Sequence, residues 1–287
     1  MIKKGIILAG GRGTRLSPLT KVINKQLLPL YDKPIIFYPL SVLMLAGIKD
    51  ILIITNPEER KNFKKILGNG SNFGIKIQYT EQKKPNGLPE AFIIGKKFIK
   101  DQNVALILGD NFFYGQDFVK NLVKSLKLIE GSTIFTYPVS NPKHYGVVEF
   151  QGSKIKNIIE KPKKTNSNLA ITGIYLFDKN VFNFTKQLKP SKRKELEIVD
   201  LIKKYLKIKK LNIEFIGRGN AWLDTGSVNS LLKTSEFVAN IENRQGLKIA
   251  CLEEIALNNK WISKSTIQKQ INFYGSCDYS KYLKKLI

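Results

Sequence analysis

A short stretch near the N-terminus holds the residue types that phosphate chemistry requires. Gly10, Gly11 and Gly13 follow an apolar run, and Arg15 and Lys25 come after them. Glycine allows backbone conformations in which successive N–H groups converge on an anion, and Arg and Lys supply charged donors for phosphate oxygens. A tight turn also needs glycines, so the loop by itself leaves both interpretations open.

The spacing of this loop excludes two common nucleotide-binding motifs. A Walker loop ends in Gly-Lys followed by Ser or Thr, whereas here Thr14 and Arg15 follow Gly13. A Rossmann dinucleotide fingerprint needs a third glycine at position 16, where this chain has Leu16. If the loop binds phosphate, it therefore belongs to another class of nucleotide-binding protein.

Two aspartates further along the chain could hold a divalent metal ion. Asp110 follows a buried strand and a glycine, and Asp224 stands just before a long predicted helix. Either residue alone is as often a cap or a turn residue as a ligand. Together they would suit magnesium, which takes one or two carboxylates in addition to phosphate oxygens and water.

These side chains need a scaffold that brings distant segments together, and the first half of the chain predicts one. Segments 4–8, 50–55, 75–80 and 104–108 are typical of strands and alternate with helical segments. This rhythm predicts an α/β fold, a Rossmann-like and mostly parallel sheet flanked by helices, with ligands at the carboxyl ends of the strands. Residues 10–15, residues 82–87 and Asp110 would all lie on that rim.

The second half of the chain predicts a small antiparallel part and a helical end. Segments 145–150 and 154–160 are expected to pair around a Gln-Gly turn, and segment 171–177 adds another strand. From residue 252 onward the sequence favours short helices. We therefore expect a main domain over residues 1–241, which carries every candidate site residue, and a helical C-terminal appendage over residues 242–287 that packs on it.

Length and composition limit the class of protein further. The chain has 287 residues and a formal net charge of +25, which could indicate a nucleic-acid or membrane partner. Only six of its 48 basic residues are arginines, and its lysines are spread over the whole length, which favours a compositional bias instead. No apolar run approaches membrane-spanning length, and Cys251 and Cys277 form no metal or disulfide motif. We expect a cytoplasmic protein that binds neither nucleic acid nor membrane.

Taken together, the motifs resemble those of sugar-nucleotide pyrophosphorylases, a family of nucleotidyltransferases. The similar stretches are GGRGTRL at 10–16, KQLLP at 25–29, GDNFFYG at 109–115, EKP at 160–162 and AWLDTG at 221–226. The resemblance covers nearly the whole chain and is closest to the members that use dTTP. It implies synthesis of dTDP-glucose and pyrophosphate from dTTP and α-D-glucose 1-phosphate, as the first step of dTDP-rhamnose synthesis. The alternatives are a member that uses UTP or CTP, or a non-catalytic nucleotide-sugar sensor.

The resemblance also implies a role for each motif residue. The residues implied to carry the reaction are Arg15, Lys25, Asp110, Lys161 and Asp224, with Asp110 and Asp224 as ligands of Mg²⁺. Those implied for the nucleotide are Gly10, Gly11, Gly13, Thr14, Arg15, Lys25, Gln26, Gln82, Gly87 and Asp110. Those implied for the sugar phosphate are Asn111, Tyr145, Gly146, Glu160, Lys161, Ile171 and Glu195. Two positions depart from the family, since Ile171 replaces its usual valine and Lys194 its usual glycine.

The residues agree with a reaction that needs no protein nucleophile. A sugar 1-phosphate is a good nucleophile at neutral pH because its second pKa is about 6. The chain accordingly shows no Ser-His or Cys-His arrangement, and its single histidine, His144, is expected to be a surface residue. Positioning and charge neutralisation would then carry an in-line attack on the α-phosphorus.

The resemblance further implies a homotetramer with a second nucleotide-sugar site, at which the end product dTDP-rhamnose inhibits. Residues 246–256 match the family but contain none of the residues assigned to the reaction. Their apolar members Leu247, Ile249, Ala250 and Leu252 fit an alternating buried strand. Plain core packing is therefore the alternative to an interface role for this segment.

Overall fold

The computed structural model describes residues 1–127 and 130–287 of the chain. The strands are β1 (Lys4–Ala9), β2 (Pro29–Leu30), β3 (Lys33–Pro34), β4 (Asp50–Thr55), β5 (Lys76–Glu81), β6 (Val104–Leu108), β7 (Asn111–Tyr114), β8 (Ser132–Pro138), β9 (Gly146–Gln151), β10 (Lys154–Glu160), β11 (Leu169–Phe177), β12 (Leu211–Phe215) and β13 (Ala221–Asp224). The helices are α1 (Phe37–Leu45), α2 (Arg60–Leu67), α3 (Glu90–Ile94), α4 (Lys96–Ile99), α5 (Gln116–Ser125), α6 (Val181–Lys186), α7 (Ile198–Lys207), α8 (Val228–Gln245), α9 (Leu252–Asn258), α10 (Lys264–Tyr274) and α11 (Asp278–Lys284).

Four parallel strands form the centre of the fold, in the order β5, β4, β1, β6. Successive side chains of β1 enter opposite cores, so that Ile6 and Ile7 are both fully buried. Burial on both faces explains why β1, β4 and β6 are largely apolar runs, whereas the edge strand β5 alternates polar and apolar residues. The strand order reverses between β1 and β6, the position at which such sheets bind ligands. The predicted Rossmann-like parallel sheet is confirmed.

The sheet continues beyond β6 with antiparallel strands. β11 pairs with β6 over residues 174–177, with β8 along its length, and with β9 through Ala170 and Val147. β9 and β10 form the predicted hairpin, and β12 lies parallel to β8. A separate ribbon pairs β7 with β13 and places Asn111 opposite Asp224. The expected antiparallel part therefore extends the same sheet.

Helices cover both faces of this sheet, as predicted. On one face, α1, α2 and α5 contribute the buried rings of Phe37, Phe63 and Phe118. On the other face, α3, α4, α6 and α7 form a second core, in which Phe92 and Tyr205 pack against Phe177 of β11. These two cores hold the strand ends in place and thereby fix the loops that follow them.

The C-terminal part is helical, as predicted, and it packs on the sheet domain. α9 lies against α1, and Trp261 lies so close to Gly74 that a Cβ on that glycine would approach Trp261 Cβ to 2.5 Å. α8 runs from Val228 to Gln245 and so passes through the predicted boundary at residue 241. The division into two units at that residue stays a prediction. None of the described helices has the length and apolar content that a bilayer crossing requires.

Residues 246–256 do not form the expected buried strand. Gly246 ends α8 in the left-handed conformation with φ 68°, a turn follows, and α9 begins at Leu252. Leu247 is 57% exposed, whereas Leu252 is fully buried. The strand prediction is wrong because the apolar residues belong to a turn and to the start of a helix. In these structures an alternation of polar and apolar residues does not place the apolar side chains on one buried face.

Candidate active site

A cavity of about 660 Å³ opens beside the carboxyl ends of β1 and β6, at the reversal of strand order. Residues of β9 to β11 and the start of α7 form its far wall. The predicted site residues that line it are Thr14, Arg15, Asp110, Asn111, Tyr145, Gly146, Glu160, Lys161, Ile171, Glu195 and Asp224. The fold therefore brings segments from both halves of the chain to one space.

The glycine loop after β1 turns sharply at Gly13. Gly13 has a φ of 61°, and a Cβ there would lie 2.9 Å from Thr20 and 3.0 Å from Lys25. The carbonyl of Gly13 accepts hydrogen bonds from the Leu16 amide and from the Thr20 hydroxyl, both at 2.8 Å. This turn places Thr14 and Arg15 on the cavity wall, so the glycine is required both for conformation and for space.

Lys25 lies behind the cavity wall and contacts the wall residue Asp110. Asn24 accepts a hydrogen bond from the Gln26 amide at 2.9 Å and so begins the short 3-10 turn that carries Lys25. The Lys25 ammonium forms an ion pair with Asp110 Oδ2 and is only 5% exposed. Burial opposes ionisation of Asp110, but Lys25 and a hydrogen bond from Asn111 outweigh it and hold the pKa of this carboxyl below its usual value.

The second aspartate is held beside the first by the β7–β13 ribbon. The Thr225 amide and hydroxyl both donate to the Asp110 carbonyl, at 3.1 and 2.9 Å. Asp224 Oδ1 accepts a hydrogen bond from the Tyr145 hydroxyl at 3.3 Å. Burial and the Asp224 carboxylate together raise the pKa of Tyr145 to about 12. Tyr145 therefore stays a neutral donor that can orient Asp224.

These two carboxylates fit a magnesium ion. Both face the same cavity, and among the described residues no cluster of three or more His, Cys, Asp and Glu forms a complete metal site. Magnesium is commonly held by one or two carboxylates, with substrate phosphates and water completing its shell. The pair Asp110 and Asp224 offers carboxylate oxygens and leaves coordination positions for phosphate and water, as such a shared site requires.

Glu160 ends β10 on the opposite side of the cavity, and Lys161 follows it. Lys161 adopts a left-handed backbone with φ 44°, and its ammonium lies 3.8 Å from Glu160 Oε1. Arg193 also contacts Glu160, at 3.2 Å, and forms a closer pair with Glu197 at 2.6 Å. Burial raises the pKa of Glu160, although Lys161 and Arg193 oppose that shift. The structure thus gathers cations and carboxylates where the sugar phosphate is expected.

The remaining predicted nucleotide residues lie beside the cavity and do not form its walls. Gln82 is buried next to Gly10, where a Cβ would come within 2.8 Å of Gln82 Oε1, and it donates to Glu90 at 2.6 Å. Gly87 pairs with Leu196, whose carbonyl would lie 2.1 Å from a Cβ at that glycine. This contact joins the loop after β5 to the loop that carries Glu195.

Gln26 and Gly11, two further residues predicted to bind the nucleotide, differ in their surroundings. Gln26 is buried, and its amide oxygen has no hydrogen-bond partner among the described residues. Gly11 is exposed, and a Cβ there would meet nothing within 4 Å. Space alone therefore does not require a glycine at position 11, in contrast to Gly13.

Several cavity residues were missed by reasoning from the sequence. Arg193 stands beside Lys194 and Glu195, which the family resemblance singled out, so proximity could have indicated it. The ring N–H of Trp222 donates to Asn111 Oδ1 at 2.6 Å, and the Gly173 amide donates to the same atom at 3.1 Å. Trp222 and Asn111 each belong to a matched motif, but the motifs do not indicate that the two residues are partners, because they come together only through the fold. His144 is exposed, as expected, but it lies on the cavity rim.

The two departures from the family have local explanations in the structure. Ile171 is buried in β11 and faces the cavity, where its side chain would also lie 3.4 Å from a Cβ on Gly146. Lys194 has a φ of 61°, a conformation that glycine adopts without strain, and its side chain is exposed. The turn persists because the Lys194 amide donates to the Ser191 carbonyl at 2.8 Å.

Comparison with known proteins gives a consistent family assignment. The family model described as nucleotidyl transferase matches residues 4–241. The chain is 52% identical over 285 residues to the glucose-1-phosphate thymidylyltransferase of Neisseria meningitidis serogroup A, covering 99% of each chain. It is 48% identical to the enzyme of the same name from Xanthomonas campestris pv. campestris, covering 99% of this chain and 97% of the relative.

Solved structures agree with this assignment. A Bacillus anthracis structure described as a glucose-1-phosphate thymidylyltransferase in complex with a sucrose superposes with a TM-score of 0.76 and 39% identity, over 82% of this chain and 94% of that one. A UDP-glucose pyrophosphorylase complexed with UDP-glucose gives 0.73 and 28%, over 84% of this chain and 100% of that one. This chain belongs to the nucleotidyl transferase family and, within it, to the glucose-1-phosphate thymidylyltransferases.

Proposed function

We propose that this protein transfers a thymidylyl group from dTTP to α-D-glucose 1-phosphate, giving dTDP-glucose and pyrophosphate. The observation that carries the proposal is the convergence of two cations, Arg15 and Lys161, and two aspartates on one cavity, with Lys25 paired to one of these aspartates, Asp110. Its volume of about 660 Å³ lies within the range of small-molecule sites. The full-length similarity to enzymes of this name supports the choice of reaction.

In the proposed mechanism the protein binds and orients two phosphate groups. The glycine loop and Arg15 hold the β- and γ-phosphates of dTTP, Lys25 binds the triphosphate, and Lys161 holds the sugar phosphate. An oxygen of the sugar phosphate forms a bond to the α-phosphorus while the bond to the bridging oxygen of pyrophosphate breaks. The leaving pyrophosphate takes that electron pair, and the cations around it stabilise the developing charge.

No general base is needed, because the sugar phosphate is largely dianionic at neutral pH, with a second pKa of about 6. Tyr145, Glu160 and Glu195 then serve as hydrogen-bonding groups for the sugar and for Asp224, with Asn111 beside them. Gln82, Gly87 and Gln26 form the side of the site assigned to the base. These roles extend the family resemblance to residues that lie in or next to the cavity.

We assign Asp110 and Asp224 as the protein ligands of Mg²⁺. When bound, the ion would neutralise phosphate charge and help to align the triphosphate. The donor set supports this assignment, since both residues offer carboxylate oxygens to one cavity and leave room for phosphate ligands.

The decisive test is product identification with purified protein, magnesium, glucose 1-phosphate and one nucleotide at a time. The proposal requires dTDP-glucose and pyrophosphate from dTTP, at a higher kcat/KM than with UTP or CTP. A preference for UTP would favour the UDP-glucose pyrophosphorylase alternative, which the second structural relative represents. Nucleotide-sugar binding with no turnover would identify a sensor instead.

Feedback control and assembly are a second part of the proposal. A separate cavity of about 730 Å³ is lined by Leu45, Phe113, Lys248, Cys251 and Glu254, among others, and so includes part of the 246–256 segment. We propose that this cavity binds a nucleotide sugar such as dTDP-rhamnose, and that the protein is a homotetramer in the cytoplasm. The proposed reaction is the first step of the pathway to that sugar. Ala250→Trp should reduce inhibition by dTDP-rhamnose without changing uninhibited turnover. Light scattering that finds a monomer would contradict the tetramer.

A further inference from the structure

A lysine of the chain is paired with one of the two proposed metal carboxylates. The Lys25 ammonium pairs with Asp110 Oδ2, and Asp110 Oδ1 accepts a hydrogen bond from the Asn111 amide at 3.0 Å. Each carboxylate oxygen of Asp110 therefore already has one protein donor, and Oδ2 faces a full positive charge. Lys25 is almost fully buried, so its ammonium cannot turn to bulk solvent without leaving this pocket.

The other carboxylate also has a cation nearby. A Cβ on Gly226 would lie 3.0 Å from both the Arg15 guanidinium and Asp224 Oδ2, so both groups lie close to the same position. The formal charges of these two carboxylates and two cations cancel. A divalent ion arriving alone would lose hydration without meeting the net negative field that usually compensates for it.

The charge balance changes when a nucleoside triphosphate enters. Its phosphates bring several negative charges into the space that Arg15 and Lys25 border, and they offer these cations stronger partners. Drawing Lys25 toward the phosphates would free Asp110 Oδ2. The same phosphates would also supply the oxygen ligands that two aspartates alone do not provide.

We propose that Lys25 blocks the metal site of the empty enzyme, so that a divalent cation is accepted only together with a nucleoside triphosphate. The inference rests on the metal site in the proposed function. It assigns to Lys25 a role before catalysis, as an internal competitor for Asp110, in addition to its contact with the triphosphate. After pyrophosphate leaves, renewed pairing of Lys25 with Asp110 would favour release of the cation.

The test is the binding of Mn²⁺ alone, followed by electron paramagnetic resonance of the free ion, to full-length protein without nucleotide. Wild-type protein should bind Mn²⁺ weakly, and Lys25→Met should bind it at least about tenfold more tightly, because a competing unit charge has been removed. Lys25→Arg keeps the charge and should retain the block. Lys25→Gln provides a second neutral variant if Lys25→Met does not fold, as checked by circular dichroism.

Two controls assign the effect to this site. Lys33→Met removes one buried, ion-paired lysine elsewhere, since Lys33 is 4% exposed and pairs with Asp32 and Glu242. It should leave Mn²⁺ binding unchanged. In the double variant Lys25→Met/Asp110→Asn the gained affinity should disappear, because the freed carboxylate is absent.

Wild-type protein that binds Mn²⁺ without nucleotide as tightly as Lys25→Met overturns the proposal. So does a gain in Lys25→Met that survives loss of the Asp110 carboxylate. Neither comparison requires turnover or dTTP, so each is independent of product identification. A protein that blocked Mn²⁺ as described but made no dTDP-glucose would contradict the proposed function alone.

Discussion

Lys161 gives a direct way to separate the sugar-phosphate side of the cavity from the nucleotide side. Its side chain is 48% exposed, and its ion pair with Glu160 at 3.8 Å is long, so loss of that pair should hardly change folding stability. A hydrogen bond between charged groups contributes about 1.5–3 kcal/mol to binding. Since about 1.4 kcal/mol corresponds to a factor of ten, Lys161→Ala should raise the KM for glucose 1-phosphate about 10- to 150-fold.

The assay is steady-state pyrophosphate release with each substrate varied in turn, supported by calorimetric binding of dTTP. Dissociation of dTTP should change less than about twofold, because Arg15 and Lys25 remain in place. Lys163→Ala, two residues further along on an exposed segment, is the matched control and should behave as wild type. Equal weakening of both substrates would refute the assignment of Lys161 to the sugar phosphate and indicate a structural role instead.

The unusual backbone of Lys161 calls for one more variant. Lys and Ala both strain a φ of 44°, so the alanine variant leaves the conformational cost in place. Lys161→Gly relieves it and should unfold at higher denaturant concentration than Lys161→Ala while showing the same defect toward glucose 1-phosphate. Different kinetic defects in the two variants would show that loop conformation, and not the ammonium, determines the KM.

Three further predictions concern other parts of the cavity. Asp224→Asn should lower kcat by orders of magnitude while the melting temperature stays within a few degrees, because it removes a charge from the metal site; near-normal turnover would exclude Asp224 as a ligand. Lys194→Gly should stabilise the fold by about 0.5–1 kcal/mol in urea unfolding, since φ is 61° and the side chain is exposed; a loss of stability would contradict this. Burial disfavours ionisation of Glu197, but hydrogen bonds from Arg193 and Ser191 more than compensate and lower its pKa. The ionised carboxyl therefore stabilises the fold above its unfolded pKa near 4.5, and this contribution is lost as the pH falls through the lower pKa of the folded state. The stability difference between wild type and Arg193→Gln should therefore be full at neutral pH and shrink below about pH 4.5; a difference that persisted at pH 3 would exclude the ion pair as its cause.

The linear sequence was sufficient for the scaffold of the site because the relevant signals are local. The inner parallel strands β1, β4 and β6 are buried on both faces and are therefore short apolar runs that can be recognised without knowing their neighbours. Gly13 was recognisable as part of a glycine-rich loop after an apolar run, and the structure adds that its positive φ and the nearby Lys25 and Thr20 leave no room for a side chain. The alternation of strands and helices then placed the ligand site at the carboxyl ends of the strands.

The same reasoning failed where a local pattern had two structural meanings. The apolar residues at 247–252 alternate as a strand would, but a turn and a helix start present them differently, and Leu247 is exposed while Leu252 is buried. Periodicity over six residues cannot distinguish these cases, because the partner surface decides which side chains are covered. The domain division at residue 241 stays a prediction, and α8 runs through that position.

Contacts across long sequence separations were decided only by the tertiary structure. Lys25 and Asp110 are 85 residues apart, and Asn111 meets Trp222 across 111 residues. Each motif indicated a charged residue, but which cation neutralises which carboxylate depends on the register of the β7–β13 ribbon and on the turn after β1. The chain thus specified the chemical groups of the site, while packing of distant strands determined their pairing, because electrostatic partners are chosen by distance in space and not along the chain.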